Sequence, residues 1–332
     1  MADIALEVLN DNEESSELNE FIEQSLNGTI FHHPKFLSYH GEEKFSKNVY
    51  AINHFLFRKK SKIIAFLPGI IYKSEKGLQF NSPYGASFGG FVSNEISFEA
   101  CDEIMNMTLK YLLSERGMAE INIVPVTSIY HANMVNDYFE FLYLSRGFRL
   151  RDSELTIVVR VSQDDDYPLS SYEHRVKKFI KQGERNGINF KICDDIDTAY
   201  EIIESNRVRF SKKPTHTLEE LKAISRLFPG RLLQFIAFKD ELPIAVCCLL
   251  LCNDFVAYSF YIDQMGTHSA LRPVNFIINQ VLIWLKENNY SYLDFGPSTF
   301  GLEPHRSLIF FKEGFGGKGI IKHFYQYKIE NS

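Results

Sequence analysis

Apolar positions along this chain switch repeatedly between a period of two and a period of about 3.6, and the switches mark out its elements. Residues 14–25 predict a first helix, and the aromatic segment FHHPKFLSYH that follows is broken by Pro34. Two strands are expected near 49–57 and 62–72, turning at Arg58-Lys59-Lys60-Ser61. The run EACDEIMNMTLKYLLSERG reads as part of a helix over 95–116 that stops at Gly117, a residue suited to a C-cap. AEINIVPV then reads as a buried strand, NDYFEFLYLSRGF as a helix closing on Gly147, and RDSELTIVVRV as an alternating strand. Further on come a basic helix (SYEHRVKKFIKQGERNG), a strand (INFKICD) and a helix (DIDTAYEIIESNRVRF). Thr217, three residues before Glu220, opens another helix as a capping box. RLLQFIAF, LPIAVCCLLLC and FVAYSFYID predict a three-strand meander. A helix from Pro273, the strand YLDFG, a helix around FFKEGFG and a last strand KGIIKHFYQYKI end the chain.

The order of these elements is stated twice, at an offset of roughly 170–180 residues. Phe55 to Tyr72 matches Phe235 to Cys252, and the helix at Glu99 to Gly117 matches the one at Pro273 to Asn289. Each copy runs hairpin, helix, short buried strand, second helix and a Gly-Phe or Gly-Phe-Gly ending. The acidic, Pro-containing segment Ser162 to Ser171 lacks periodicity and divides residues 1–163 from residues 164–332. Antiparallel strands with a helix inserted before a parallel one make each half mixed α+β. Two such halves would leave a cleft suited to a small ligand.

Composition narrows the options. A chain of 332 residues, 45% hydrophobic, exceeds one ordinary core and needs neither disulfides nor metal to fold. A formal charge of −6 argues against wholesale coating by nucleic acid. The acidic start has no apolar core of a signal peptide, and the apolar run Pro243 to Cys252 is about half a membrane span. These features, with an odd count of five cysteines, predict a cytoplasmic chain with reduced thiols. Alternation sends Cys247 to the face opposite Cys248 and Cys252, so a metal site there is not expected.

The doubled order resembles a tandem GNAT fold, two tandem GNAT-like domains each with a mixed central sheet flanked by helices. Arg207 through Phe210, Pro214-Thr215-His216-Thr217, Phe228-Pro229, Asp294-Phe295-Gly296 and Phe311-Lys312-Glu313-Gly314-Phe315-Gly316 are similar to the BioF2-like acetyltransferase group of GNAT-type acyltransferases. That group is in turn similar to the Fem family of peptidoglycan aminoacyltransferases, and SPYGASFGG in the first half fits it too. The resemblance implies transfer of an acyl group to an amine, from acyl-CoA as co-substrate in ordinary GNAT enzymes and from aminoacyl-tRNA in the Fem branch. It implies a donor-binding second domain and an acceptor side in the first. An amino sugar or lipid-linked saccharide of a surface polysaccharide pathway is the acceptor this analogy suggests. The stretch from 171 to 228 is short for the helical insertion of Fem enzymes, which favours CoA over tRNA. In single-domain GNATs a Gly-rich turn binds the pyrophosphate; here the matching Gln264-Met265-Gly266 through Arg272-Pro273 keeps one glycine. It still offers backbone N–H groups and Arg272 at a helix start. The lost glycines also fit a degenerate GNAT that only binds a ligand.

Amine attack on an ester or thioester needs a proton acceptor, oxyanion stabilisation and approximation. By the resemblance, Phe311 and Lys312 match a Phe-Lys pair beside the reacting ester, where an ammonium would stabilise the oxyanion; a surface lysine or an ion pair with Glu313 or Asp294 is the plain alternative. Asp294 ends a buried strand and could orient the amine or take its proton, or could bond the next turn's backbone. His216 has the pKa of a natural base near neutrality, or else sits in a capping segment. Arg207, Arg209, Lys212 and Lys213 form a cationic run suited to a diphosphate, or a solvated face complementing a helix dipole. Tyr84, in the Gly-rich loop NSPYGASFGG, could line the acceptor site or pack with neighbouring rings, as could His32 and His33.

Overall fold

The computed structural model describes residues 4–40, 49–134 and 136–329. They divide into two compact units, Met1–Ser153 with Ile321–Ser332, and Glu154–Ile320. The chain is α+β throughout.

In the first unit the strands β1 (Ile4–Leu9), β2 (Val49–Ile52), β3 (His54–Lys59), β4 (Lys62–Leu67), β5 (Ile70–Ser74), β6 (Gly77–Ser82), β7 (Val92–Ser93) and β8 (Glu120–Ile123) form two sheets. The order β1-β3-β4-β7 makes one; β2-β5-β6-β8 runs through the other. The two long strands expected near 49–57 and 62–72 are therefore each cut in half, at Asn53 and at Pro68-Gly69. Proline has no N–H to give a ladder, and at the cut Asn53 N–H donates to Gly69 O at 3.1 Å while Gly69 N–H donates to His54 Nδ1 at 3.0 Å. The break sends the halves to different sheets. Helices α1 (Ser16–Gln24), α2 (Phe98–Leu109) and α3 (Tyr138–Ser145) pack on these strands. Beyond Leu109 the expected helix continues as a π-helical turn over Lys110–Glu115. Strands β5 and β6 are antiparallel, whereas β6 and β8 are parallel.

Strand β9 (Arg149–Arg160) leads into the second unit. There α4 (His174–Arg185), β10 (Asn189–Cys193), α5 (Ile196–Arg209), α6 (Leu218–Leu227), β11 (Leu232–Lys239), β12 (Leu242–Leu251), β13 (Val256–Gln264), α7 (Pro273–Glu287) and β14 (Tyr292–Pro297) follow in turn. A short hairpin of β15 (Thr299–Phe300) and β16 (Glu303–Pro304) precedes α8 (Arg306–Glu313). The last strand, β17 (Lys318–Lys328), returns the chain to the first unit. The sheet order is β10-β11-β12-β13-β14-β9, antiparallel except for β13 against β14. A β-helix-β crossover through α7 accounts for that one parallel pair, since parallel neighbours need a long return connection. Helices α4 and α7 cover one face; Phe235, Cys247, Leu249, Ile277, Val281 and Leu285 are buried between them and the sheet. Each such side chain contributes roughly 1.5–3 kcal/mol of burial. Helix α5 packs the other face, and α6 starts with the capping box, Glu220 N–H on Thr217 Oγ1 at 3.2 Å and Thr217 N–H on Glu220 Oε2 at 2.7 Å.

Candidate functional site

The parallel pair in the second unit is short. Val256, Ala257 and Tyr258 pair with Tyr292, Leu293 and Asp294, and there the pairing ends, although β13 runs on for six residues. Two strands that pair and then part expose backbone N–H and C=O groups on their facing edges, which an extended ligand can use as a strand would. Tyr258 and Asp294 stand opposite each other at the fork.

Asp294 is fully buried, and its Oδ1 accepts from Thr156 Oγ1 on β9 at 2.6 Å and from Gly296 N at 2.7 Å. The second bond closes a tight turn in which Gly296 has φ +72°. A Cβ at Gly296 would lie 2.7 Å from the Tyr258 hydroxyl, so glycine is required both by conformation and by that close approach. The turn bulges β14 against β9, where register slips between Asp294 and Pro297. Lys312, on α8, crosses over the turn. Its Nζ donates to Gly296 O at 2.8 Å, to Pro297 O at 3.1 Å and to Ser298 Oγ at 2.8 Å. Those three acceptors match the three hydrogens of an ammonium. With only 4% of the residue exposed, burial lowers the Lys312 pKa to about 8, and the nearby Asp294 carboxylate opposes the fall. Lys312 thus stays mostly cationic at neutrality. Phe311, its neighbour, packs edge-on against the buried Phe315 with ring centroids 5.3 Å apart.

A second cluster lies further along β13. A bulge at the β12–β13 pairing, between Cys248 and Leu249, leaves Tyr261 opposite Cys248 and Asp263 opposite Val246. The buried Asp263 carboxylate accepts from Asn206 Nδ2 and, at 3.1 Å, from Arg207 Nη2, both on α5. Burial raises its pKa, while Asn206 and Arg207 pull it back. His216 meets this cluster through Tyr261: its backbone N–H donates to the Tyr261 hydroxyl at 3.0 Å, and its Nδ1 lies 2.8 Å from the same oxygen. Burial pushes the Tyr261 pKa up to about 12, so the phenol keeps its proton.

Most of the sequence candidates fall into three places. Lys312 and Asp294 converge on the Gly296 turn, while Phe311 packs against Phe315. Arg207 and His216 meet around Tyr261, and Gln264, Gly266 and Arg209 gather at the end of β13. Arg209 Nη1 would lie 2.5 Å from a Cβ on Gly266. Arg272, at φ +64°, caps α7 and lays its guanidinium over the Phe179 ring, 4.2 Å from the centroid. Lys213 is exposed. Tyr84 lies in the first unit, tilted against Tyr72 with centroids 6.1 Å apart, and partial burial raises its pKa. Sequence reading missed Thr156, Tyr258, Asp263 and Ser298. A carboxylate ending the apolar strand FVAYSFYID was a visible signal for Asp263, but the bulge hid its face.

All five cysteines are free thiols, and burial pushes Cys101 and Cys247 up to about 12. Among the described residues there is no cluster of three or more His, Cys, Asp or Glu placed to hold a metal ion. Among them, too, no helix is long and apolar enough to cross a membrane.

No protein-family model and no curated protein sequence matches the chain. Solved structures do. FemX superposes with a TM-score of 0.72 at 14% identity, over 97% of each chain. The tandem GNAT protein from the clavulanic acid biosynthesis pathway gives 0.53 at 9% identity, over 99% of this chain and 100% of that one. The fold is a tandem GNAT fold. L-PGS from Bacillus licheniformis shares it, with a TM-score of 0.60 at 12% identity over 97% of this chain and 93% of that chain. At such identities the likeness speaks to the fold alone.

Proposed function

We propose that this tandem GNAT chain is an acyltransferase that moves an acyl group from acyl-CoA to an amine, its second half (164–332) binding the donor and its first half (1–163) serving the acceptor. The observation that carries the reading is the fork between β13 and β14, with a buried ammonium fixed at its base. The free edge of β13 hydrogen-bonds the amide-bearing arm of the donor, and the turn at Gln264 and Gly266, with Arg272 and Phe311, holds its remainder. Attack by the amine nitrogen forms the C–N bond and places negative charge on the carbonyl oxygen; collapse expels the thiolate. Lys312 stabilises that charge through its fixed field, since its three hydrogens are spent on the Gly296 turn. Asp294 holds the turn that Lys312 grips. The amine proton passes to His216, whose ring is poised by the Tyr261 hydroxyl. Arg207, Arg209 and Lys213 contact the acceptor, for which an amino sugar or lipid-linked saccharide of surface polysaccharide synthesis is the first choice.

Thiol release from acetyl-CoA, measured over a panel of amines that includes amino sugars, tests the reading. Amine-dependent release is expected. Its absence across several acyl-CoA donors, with ligand binding retained, would leave a binding protein. The likeness to FemX along 97% of both chains favours a second donor, aminoacyl-tRNA. Thermal shift separates the two, because a ligand at 100 times its Kd stabilises by about 2.7 kcal/mol.

A further inference from the structure

The first unit holds a cavity of about 50 Å³, lined from β7, the first turn of α2 and the head of α3. We propose that this cavity binds a primary amine in its protonated form, with an oxygen on the neighbouring carbon. The proposal stands apart from the acyl-transfer reading, because an ammonium held by carboxylates has no lone pair with which to attack.

The lining is one-sided in charge. Asp137 and Glu140 belong to it, and among the described residues no lysine or arginine does. His131 lines it too, but burial lowers its pKa, so at neutrality the ring adds no positive charge. The Tyr325 hydroxyl on β17 donates to Glu140 Oε2, which fixes the carboxylate without using Oε1. Asp137 is exposed and Glu140 half-buried, so the negative charge leads from solvent inward. Three rings supply the apolar part of the wall: Phe91 stacks with Phe139 at 4.2 Å and with Tyr143 at 6.3 Å between centroids. Beside such a wall the pairing of a carboxylate with a cation is stronger than in bulk water. The second sign lies deeper. Tyr143 is 1% exposed, and its hydroxyl hydrogen has no acceptor among the described residues. The Phe91 backbone beside it favours the ionised oxygen, as an N–H donor does, so it is the hydrogen that lacks a partner. A buried hydroxyl in that state is costly and calls for an acceptor. The carboxylates ask for a cation and the hydroxyl for an oxygen, and a molecule carrying both answers both. One water could serve the hydroxyl, but it would leave the negative charge unmatched, and the space exceeds what one water fills. Room of this size suits an ammonium, its short carbon link and the oxygen, with anything larger left at the mouth.

Ethanolamine is the probe, followed by its NMR signals as it is titrated into the intact chain, with ethylamine, ethylene glycol and acetate for comparison. Ethanolamine is expected to bind, ethylamine to bind about tenfold more weakly for want of the oxygen, and the uncharged and anionic molecules hardly at all. Glu140→Gln keeps an acceptor for Tyr325 and removes the charge, so it should weaken ethanolamine and ethylamine alike, by about tenfold. Tyr143→Phe should weaken ethanolamine by about tenfold and leave ethylamine unchanged, a split that general damage to the unit would not produce. Glucosamine, serine and glycerophosphoethanolamine then assign the source, since whichever binds best marks a sugar, an amino acid or a lipid headgroup. No binding of ethanolamine by wild type, equal losses of both amines in Tyr143→Phe, or acetate binding as tight as ethanolamine would each overturn the proposal. If Glu140→Gln fails to fold, Tyr143→Phe alone decides it. Binding is read without any acyl donor, so it can stand where acyl transfer fails and fail where acyl transfer stands.

Discussion

The chain contains the same parallel fork twice, once shut and once open. In the first unit β6 and β8 pair from Gln79–Glu120 to Ser82–Ile123, and the ladder then continues through the loop. Val124 N–H donates to Ser82 O at 2.8 Å and Gly89 N–H donates to Val124 O at 2.8 Å, so Gly89 comes to lie beside Pro125 as a further parallel bridge. The loop folds so tightly onto its own strand that a Cβ on Gly89 would sit 2.5 Å from Pro83 N. The buried His32 ring bonds Gly89 O from behind at 3.1 Å. In the second unit the equivalent pair parts after three residues, with Asp294 and Lys312 at its base. One fork continues its ladder into the loop; in the other, among the described residues, the β13–β14 ladder stops at Tyr258 and Asp294. A duplicated unit can thus keep a fold in both copies while its parallel ladder runs on in one and stops early in the other.

The largest expected effect breaks the open fork. Lys312→Met keeps the apolar stem and removes the charge, and acyl transfer should fall about 10²–10³-fold, as when one preorganised stabiliser of an oxyanion is lost. The same group sets a pH limit. Since its pKa is lowered to about 8, turnover should decline as pH rises through that value, and the decline should be missing from whatever activity the variant keeps. A variant that folds normally and turns over like wild type would remove Lys312 from the mechanism.

Acid should find the closed fork first. Burial lowers the pKa of His32, and likewise of His54, from 6.5 to about 4. Between those values the unfolded chain binds protons that the folded first unit excludes. Its stability is therefore full above about 6.5 and is lost as pH falls toward 4, by on the order of 3 kcal/mol per histidine. Lys312, with its pKa at about 8, stays protonated over that range. Urea unfolding at pH 7 and pH 5, followed by far-UV circular dichroism and by the single Trp284 of the second unit, checks this. Equal midpoints at both pH values by both signals would contradict it.

Gly296→Ala closes in on the open fork more gently. At φ +72° an alanine is strained, and its methyl would push the Tyr258 ring off the turn. A loss of about 2 kcal/mol in stability is expected from the backbone conformation and the displaced ring. Turnover should fall with it, since Lys312 grips that peptide.

Much of this was legible in the sequence, for particular reasons. The duplication, the meander and α7 showed because apolar periodicity is strong where both faces of an element are buried, as in LPIAVCCLLLC. The capping box at Thr217 showed because it is purely local. Asp294 and Lys312 were named from a strand end and a resemblance, but nothing local says that they meet at Gly296, sixteen residues from Lys312. Thr156 lies 138 residues from the carboxylate it serves, beyond any pattern in sequence. The split of the expected strand 62–72 was readable in Pro68-Gly69, whereas the bulge that aims Asp263 left no mark, because a bulge is one residue against a partner that sequence does not identify.

The smallest effect is the sharpest test of the asymmetry. Ser82 is fully buried at the end of β6, and its Oγ accepts from Gly90 N–H at 2.9 Å, pinning the loop that shuts the first fork. Ser82→Ala leaves that buried N–H without its partner, and stability should drop by about 1 kcal/mol. If only the open fork works, kcat and KM should stay at wild-type values while the melting temperature falls. A change in KM for the amine with the donor KM untouched would mean that the loop on the closed fork handles the acceptor. Loss of both kinetic constants together would mean the two copies are not divided in labour at all, because loosening a shut fork would then matter as much as damaging an open one.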